Sequence, residues 1–335
     1  MSSARFAVYL NSNARRVSPD VVERIEELVH PDDIFTSDDP QSAYGHAACI
    51  LDRQYPTVFV GGGDGTVVQL VNALHAEAGR RPDLPPVPTL GVLSLGTGNA
   101  LSRLVSSGSA IQDLKSYVVN PSHDVWSISL VSWEGRVFPF GSLGVDAEIL
   151  ADYAMVRDGP VGKVLKPLFQ NVGGYFVSFF TATTPRHVKA ALRREHRTVR
   201  ITSLGDRAAA IGNDGEPTRT WGPGEVIYEG PANAVITGTV PIYGYGLRIL
   251  PFADRQPDFF KLRVSRIHLL RAFVNLDGIW NGTYRNEDLI DHYVQHVRVE
   301  LSSPMPFQIG GDYMGERDTL ELELAPRRLR LLRFI

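Results

Sequence analysis

The residues best suited to chemistry form one short run, Gly61-Gly62-Gly63-Asp64-Gly65-Thr66, which follows directly on the apolar triplet Val58-Phe59-Val60. Behind it Val67, Val71 and Leu74 repeat at helical spacing, so the unit reads as strand, loop and helix. Backbone N–H groups at a helix N-terminus, with no side chains in the way, form an anion site. Gly61, Gly62 and Gly63 let the main chain approach a phosphate closely. Thr66 caps the helix and offers a hydroxyl. Asp64 can hold Mg²⁺ directly or through water, because that ion takes oxygen ligands and keeps several waters. The run lacks the G-x-x-x-x-G-K-[ST] pattern, which excludes a P-loop NTPase at this site. By composition alone, a Gly-rich turn with an Asp cap fits the same residues equally well. A second run, Leu93-Ser94-Leu95-Gly96-Thr97-Gly98-Asn99-Ala100-Leu101, repeats the logic. Alone it reads as a βα turn. Two such loops at neighbouring strand ends suit a ligand, since open α/β sheets bind outside the carboxyl ends of their strands.

The elements that must position these loops alternate along the first 120 or so residues. Phe6–Leu10, Asp33–Thr36, Thr57–Val60 and Thr89–Leu95 read as strands. Ser18-Pro19-Asp20 reads as an N-cap with Pro at the first helical position, followed by Val21, Val22, Ile25 and Leu28 on one face. Gln41–Arg53 and a segment from Asn99 to Val105 supply further helices. This predicts a mostly parallel sheet covered on both faces. After about Asp124 the texture becomes short β-rich runs between turns: Val125–Val131, Val137–Phe140, Val199–Leu204, Ala208–Gly212, Asn233–Thr239, Leu262–Ile267, Val297–Leu301 and Leu320–Leu324. These predict an antiparallel sandwich or barrel, interrupted by a mostly helical insert over Ala147–Thr184. The expected organisation is an α/β domain over 1–124, a β-sandwich domain over 125–318, and a C-terminal strand segment over 319–335 returning toward the first domain.

The two glycine runs, in this order and spacing, resemble the catalytic-domain signature of the diacylglycerol kinase superfamily, which includes bacterial lipid kinases and sphingosine kinases. Asn11, after Val8-Tyr9-Leu10, sits where that family has a nucleotide-contacting Asn-Pro, with Ser12 in place of the Pro. Asp124-Val125-Trp126, Phe140–Ala147 and Gly244-Tyr245-Gly246 through Pro251-Phe252-Ala253 resemble later family stretches in the right order. The resemblance implies an α/β nucleotide domain and a β-sandwich lipid domain with ATP in the cleft between them. It implies that Asp64, Gly65 and Thr66 line the phosphates, together with Gly61, Gly62, Gly63, Gly96, Thr97 and Gly98, and with Asn11 and Asn99 nearby. It also implies a water-mediated Mg²⁺ network shared by Asp64 and Asp124. The activity implied is ATP- and Mg²⁺-dependent phosphorylation of diacylglycerol or a related lipid alcohol at a membrane surface. An NAD kinase, whose family shares a Gly-Gly-Asp-Gly-Thr loop, is the distant alternative.

Two departures bear on turnover. Many bacterial members carry Asp after the Asn of the second loop; here it is Ala100, as in sphingosine kinases. Near the C-terminus the family has Asp-Gly-Glu on a strand, its Asp a leading candidate for general base. Here Gly310-Gly311-Asp312 occupies that place. If the segment is extended, residues 310 and 312 point to the same side, and Asp312 offers a carboxylate about 7 Å further along. Asp312 is therefore the expected base, with Asp64 as the other candidate. A catalytically impaired nucleotide- or lipid-binding homologue is the alternative that Gly310 motivates. The chain's Asp214-Gly215-Glu216 reads instead as a hairpin turn between β-rich runs.

The rest of the sequence sets limits. Of 335 residues, 43% are hydrophobic and 21% charged, with a net charge of −3, so nothing suggests a nucleic-acid partner, which leaves a basic footprint. One cysteine, Cys49, allows no intrachain disulfide and fits a reducing, cytoplasmic compartment, peripheral to the inner membrane face. No stretch reaches the roughly 18 apolar residues of a membrane span. A homodimer is compatible with all of this. The insert's Val164, Leu165, Leu168, Phe169, Val172, Tyr175, Phe176, Phe179 and Phe180 suit either an acyl-chain wall or a packed helix. The basic stretch Arg186–Arg200 reads as a solvated face, and Arg327, Arg328, Arg330 and Arg333 as the wet side of a final strand. His292 and His296 lack a third metal ligand nearby, and no G-x-S-x-G elbow occurs.

Overall fold

The computed structural model describes residues 5–39, 41–81, 87–158 and 197–335. The chain divides into two compact units, one formed by Met1–Ile128, Tyr243–Gly246 and Arg327–Ile335, the other by Ser129–Ile242 and Leu247–Pro326. Most of the helical insert and the basic residues Arg186, Lys189, Arg193 and Arg194 lie outside the described residues. So do the insert's apolar positions from Val164 to Phe180.

The first unit is a six-stranded sheet built from β1 (Phe6–Asn11), β2 (Ile34–Ser37), β3 (Thr57–Gly62), β4 (Thr89–Ser94), β5 (Val125–Ile128) and the chain's last strand, β18 (Leu329–Leu332). Their order is β2-β1-β3-β4-β18-β5. The helices are α1 (Pro19–Glu26), α2 (Ser42–Asp52), α3 (Asp64–Arg80), α4 (Ala100–Val105) and α5 (Ala110–Val119). Ser18 caps α1 through its side chain on the Val21 N–H, with Pro19 at the first position, as the sequence predicts. β1, β3 and β4 are parallel and almost wholly buried, which explains their continuous apolar runs. On one face Phe59, Leu93, Leu114 and Tyr117 form a core in which the Phe59 and Tyr117 rings meet edge-on at 5.1 Å. The chain order reverses between β1 and β3: β1 leads outward to β2, and β3 leads the other way to β4. Such a switch point opens a crevice at the carboxyl ends of both strands, and those ends are Asn11 and Gly61-Gly62.

In the second unit the described residues form one antiparallel 12-stranded sheet. It contains β6 (Val131–Trp133), β7 (Arg136–Phe138), β8 (Phe140–Gly144), β9 (Thr198–Ser203), β10 (Ala208–Ile211), β11 (Pro217–Trp221), β12 (Val226–Pro231) and β13 (Ala234–Gly238). β14 (Phe260–Ser265), β15 (Leu289–Val294), β16 (His296–Ile309) and β17 (Asp312–Leu324) complete it, with α6 (Val145–Asp158), α7 (Leu269–Val274) and α8 (Leu276–Trp280) alongside. The expected sandwich is thus realised as one continuous sheet. β16 carries it, pairing with β9 along Val297–Leu301 and, after a register shift, with β8 along Phe307–Ile309. The run Val125–Val131, read as a single strand, splits at Ser129-Leu130: β5 pairs in the first sheet and β6 in the second. Asp214-Gly215-Glu216 lies in the turn between paired β10 and β11, with Gly215 at φ +91, so it is the hairpin the sequence predicts.

One expectation is overturned. The segment at 310–312 is not extended. Gly310 (φ +58) and Gly311 (φ +95) form the two-residue turn joining β16 to β17, across which Ile309 pairs with Asp312. Both central residues sit in the left-handed region, which suits glycine and fits a tight hairpin. Positions 310 and 312 therefore do not share a strand face.

Candidate active site

The two glycine loops touch each other. β3 ends at Gly62, Gly63 caps α3, and Asp64 opens the helix. β4 ends at Ser94, and the second loop runs to Asn99, which caps α4 in the left-handed conformation (φ 54, ψ 43). A Cβ added at Gly96 would lie 2.3 Å from the Cα of Gly63 and 2.8 Å from the Gly62 carbonyl oxygen. Only a glycine permits that approach of one main chain to the other.

Asp64 holds the pair together. Its carboxylate accepts the Ala100 N–H at Oδ2 (2.9 Å) and the Leu101 N–H at Oδ1 (3.0 Å), so a residue of α3 caps the N-terminus of α4. The side chain is buried, and burial raises its carboxyl above the ordinary range. The N–H groups of Leu101 and Ala100, with the Arg103 guanidinium, act in the opposite direction. Each oxygen keeps lone-pair capacity beyond the helix N–H it accepts.

Asn11 and Thr66 are joined across the switch point, the Asn11 amide donating to Thr66 Oγ1 at 3.0 Å. Asn99 turns inward and donates to the Gly96 carbonyl (2.9 Å) and to Ser94 Oγ (3.2 Å), closing its own loop. Thr97 is exposed, and Gly63, Gly65 and Gly98 are partly so, which leaves main chain open to a ligand. The first-turn N–H groups of α3 have no partners within the helix. At Gly65 and Thr66 such groups can receive an anion.

Other contacts here are not legible in the sequence. The Tyr245 N–H donates to the Gly98 carbonyl at 2.7 Å, so the Gly244-Tyr245-Gly246 segment clasps the second loop. The glycine spacing flagged that segment, but nothing flagged its target. The Arg16 N–H reaches the Leu95 carbonyl at 3.3 Å.

Asp124 lies at the same end of the sheet as these loops, on a strand further along. It directly precedes β5, and β18 stands between β5 and β4. At the usual strand spacing it lies about 10 Å from β4 and further still from β3. Its residue is exposed, and its carbonyl accepts the Arg333 N–H. Among the described residues no group of three or more His, Cys, Asp or Glu side chains could hold a metal ion.

Asp312 belongs to the second unit, at the start of β17. It is solvent-exposed, yet the protein around it raises its carboxyl by desolvation.

Residues 6–126 match the family described as the diacylglycerol kinase catalytic domain. Diacylglycerol kinase 2 of Arabidopsis thaliana is 27% identical over 45% of this chain, and diacylglycerol kinase theta of Mus musculus 30% identical over 46%. The matching stretch spans only 24% and 19% of those relatives' own lengths. The crystal structure of a diacylglycerol kinase from Bacillus anthracis str. Sterne covers 99% of this chain and 98% of its own, with a TM-score of 0.61 at 15% identity, which shows a shared fold. Residues 6–126 are therefore similar to a diacylglycerol kinase catalytic domain. Among the described residues no helix is long and apolar enough to cross a membrane.

Proposed function

We propose that this chain is an ATP- and Mg²⁺-dependent lipid kinase that transfers the γ-phosphoryl group to a hydroxyl of diacylglycerol or a related lipid alcohol. The observation that carries this reading is the pair of glycine loops, held against each other by Asp64 at the switch point between β1 and β3. In this reading the N–H groups of Gly65 and Thr66 bind the phosphates. Asn11, through Thr66, fixes the first loop, while Gly96, Thr97, Gly98 and Asn99 form the opposing wall. Mg²⁺ would supply charge neutralisation on the phosphates, and Asp64 is the residue that would hold it. Asp124, two strands beyond β4, acts on that ion only through solvent. Phosphoryl transfer depends mainly on positioning and charge stabilisation, which a rigid main-chain cradle provides. The lipid is taken from a membrane surface.

Radiolabelled ATP incubated with the full chain and a total lipid extract tests this reading. A labelled lipid supports it. ATP binding by calorimetry with no labelled lipid supports instead a nucleotide-binding homologue without turnover, the second reading that the Gly310 turn favours. Label appearing in NADP when NAD is supplied would sink both.

A further inference from the structure

The first unit's sheet ends in an open edge at β2. Among the described residues that strand pairs only with β1. The Ser37 carbonyl accepts the Ser12 N–H at 2.9 Å, so Ser37 turns its main chain toward β1, and so does Phe35 two residues before it. Ile34 and Thr36 therefore turn their N–H and C=O groups outward. An edge of this kind is a template for another extended chain. The side chains of Ile34 and Thr36 share the face of their register partners Val8 and Leu10. On that face a groove of about 580 Å³ opens between β2 and α1, lined by Leu10, Val17, Val22 and Thr36 and by the carboxyl-bearing Glu23 and Glu26.

The surroundings of this edge are acidic. Between Ser18 and Asp39 eight carboxylates stand against one arginine, a net charge of −7 in a chain whose total is −3. Asp32-Asp33 leads into β2, and Asp38-Asp39 leads out of it. These charges decide which occupant fits. Two copies pairing antiparallel through all four residues of β2 would set Asp33 against Asp38 and Asp32 against Asp39. Like charges directly opposite destabilise a strand pair. An anionic membrane surface is repelled for the same reason. A strand that carries lysine or arginine is attracted.

We propose that the β2 edge and its groove dock an extended basic segment of another protein, one in which an apolar residue is flanked by lysines or arginines. The segment adds a strand beside β2 and bonds to the outward main-chain groups of Ile34 and Thr36. Main-chain bonds of this kind give affinity, and pockets for alternate side chains give specificity. The apolar side chain enters the groove over Leu10, Val17 and Val22. Cations two residues to either side point to the same face and meet Glu23 and Glu26. Cations at the ends of the segment meet the two Asp pairs that flank β2. Nothing in this site depends on lipid phosphorylation, so it stands whether or not the chain turns over a lipid.

The probe is a fluorescent peptide, Lys-Lys-Thr-Val-Thr-Lys-Lys, titrated with the full chain at low salt and read by anisotropy. Saturable binding is expected below about 1 mM, weakening as salt is raised. Thr36→Pro removes one outward N–H and spares the β1 ladder, because proline is accepted on an edge strand where its nitrogen faces out. It should weaken binding about tenfold with Tm unchanged. Glu23→Lys combined with Glu26→Lys, on the exposed side of α1, should abolish binding. The peptide Lys-Lys-Pro-Pro-Pro-Lys-Lys has the same charge but no central donors, and it should not bind. If it binds as well as the first peptide, or if Thr36→Pro binds as well as wild type, only diffuse charge attraction is at work and the proposal is overturned. A first peptide that does not bind overturns it too. So does a dimer in sedimentation that Thr36→Pro dissolves, which would seat a second copy on β2. Should Thr36→Pro not fold, the two peptides and the α1 variant decide.

Discussion

The glycine loops of the first unit and the Gly310-Gly311 hairpin of the second are both turns between ordered elements, and both contain adjacent glycines. They do different work. At Gly96 the absent side chain makes room for a second main chain, and what results is a site made of backbone. At Gly310 and Gly311 the glycines only let the chain reverse, at φ +58 and +95, and the polar contacts nearby belong to side chains on adjoining strands. A backbone site is written in consecutive residues and can be read in one line. A side-chain site assembled across strands depends on register and face.

The sharpest way to break this contrast is Gly96→Ala. Its Cβ meets backbone rather than a yielding side chain, so the loops must separate. ATP affinity by calorimetry is expected to fall roughly 100-fold, the scale of an ångström-sized displacement in a preorganised site. Unchanged affinity would show that the contact between the loops is incidental.

The second unit's side chains predict a pH effect. Lys261 is wholly buried, and desolvation lowers its ammonium to about 7 despite Asp291 2.8 Å away. Asp291 itself is held below the carboxylate range, because Arg263 grips both its oxygens at 2.7 Å. We take Asp291 as ionised and Lys261 as the group that bears the cost of burial. A lysine lowered in the folded state loses its proton there while the unfolded chain keeps it. Stability therefore rises with pH from about 7 toward the ordinary lysine value of 10.5. Between pH 7 and 9 wild type should gain about 2 kcal/mol relative to Lys261→Met in urea unfolding. Parallel pH curves for the two chains would refute a titrating Lys261.

Asp64→Asn leaves one α4 N–H facing an amide group that cannot accept it. A stability loss of about 1 kcal/mol is expected, alongside loss of Mg²⁺-dependent turnover. A loss of turnover with no change in stability would mean that the α4 cap contributes nothing in solution.

The smallest effect belongs to Gly310→Asp. Asp tolerates the left-handed region, so the chain should fold with a penalty under about 1 kcal/mol. Because residue 310 sits in a hairpin turn and not on a strand face, kcat should change by less than about threefold. A large gain would show that position 310 had been missing its carboxylate after all.

Parts of this molecule are open to reading from residue order alone. Apolar triplets ending in glycine place β3 and β4 and their loops, because parallel strands are buried on both faces and stop where the chain must turn. Ser18-Pro19 starts α1 for a reason local to two residues. The β-rich texture after Asp124 gives an antiparallel class, since alternation and turns are short-range signals. The split of Val125–Val131 between two sheets is hidden, because both halves have the same local pattern and only their partners differ. So is the interior place of β18, whose arginines read as one wet face while its leucines fill a gap between β4 and β5.

The site divides along the same line. Residue order determines the two glycine loops, Asn11 beside them, and the absence of a carboxylate at 310. Tertiary structure alone decides that Asp64 caps α4, that Tyr245 returns to Gly98, and that Asp124 stands two strands away. It also decides that the turn at 310–311 puts Asp312 opposite Ile309. Each of these depends on which strand lies next to which, and on a register in which one step reverses every side chain. Spacing along the chain carries no such information.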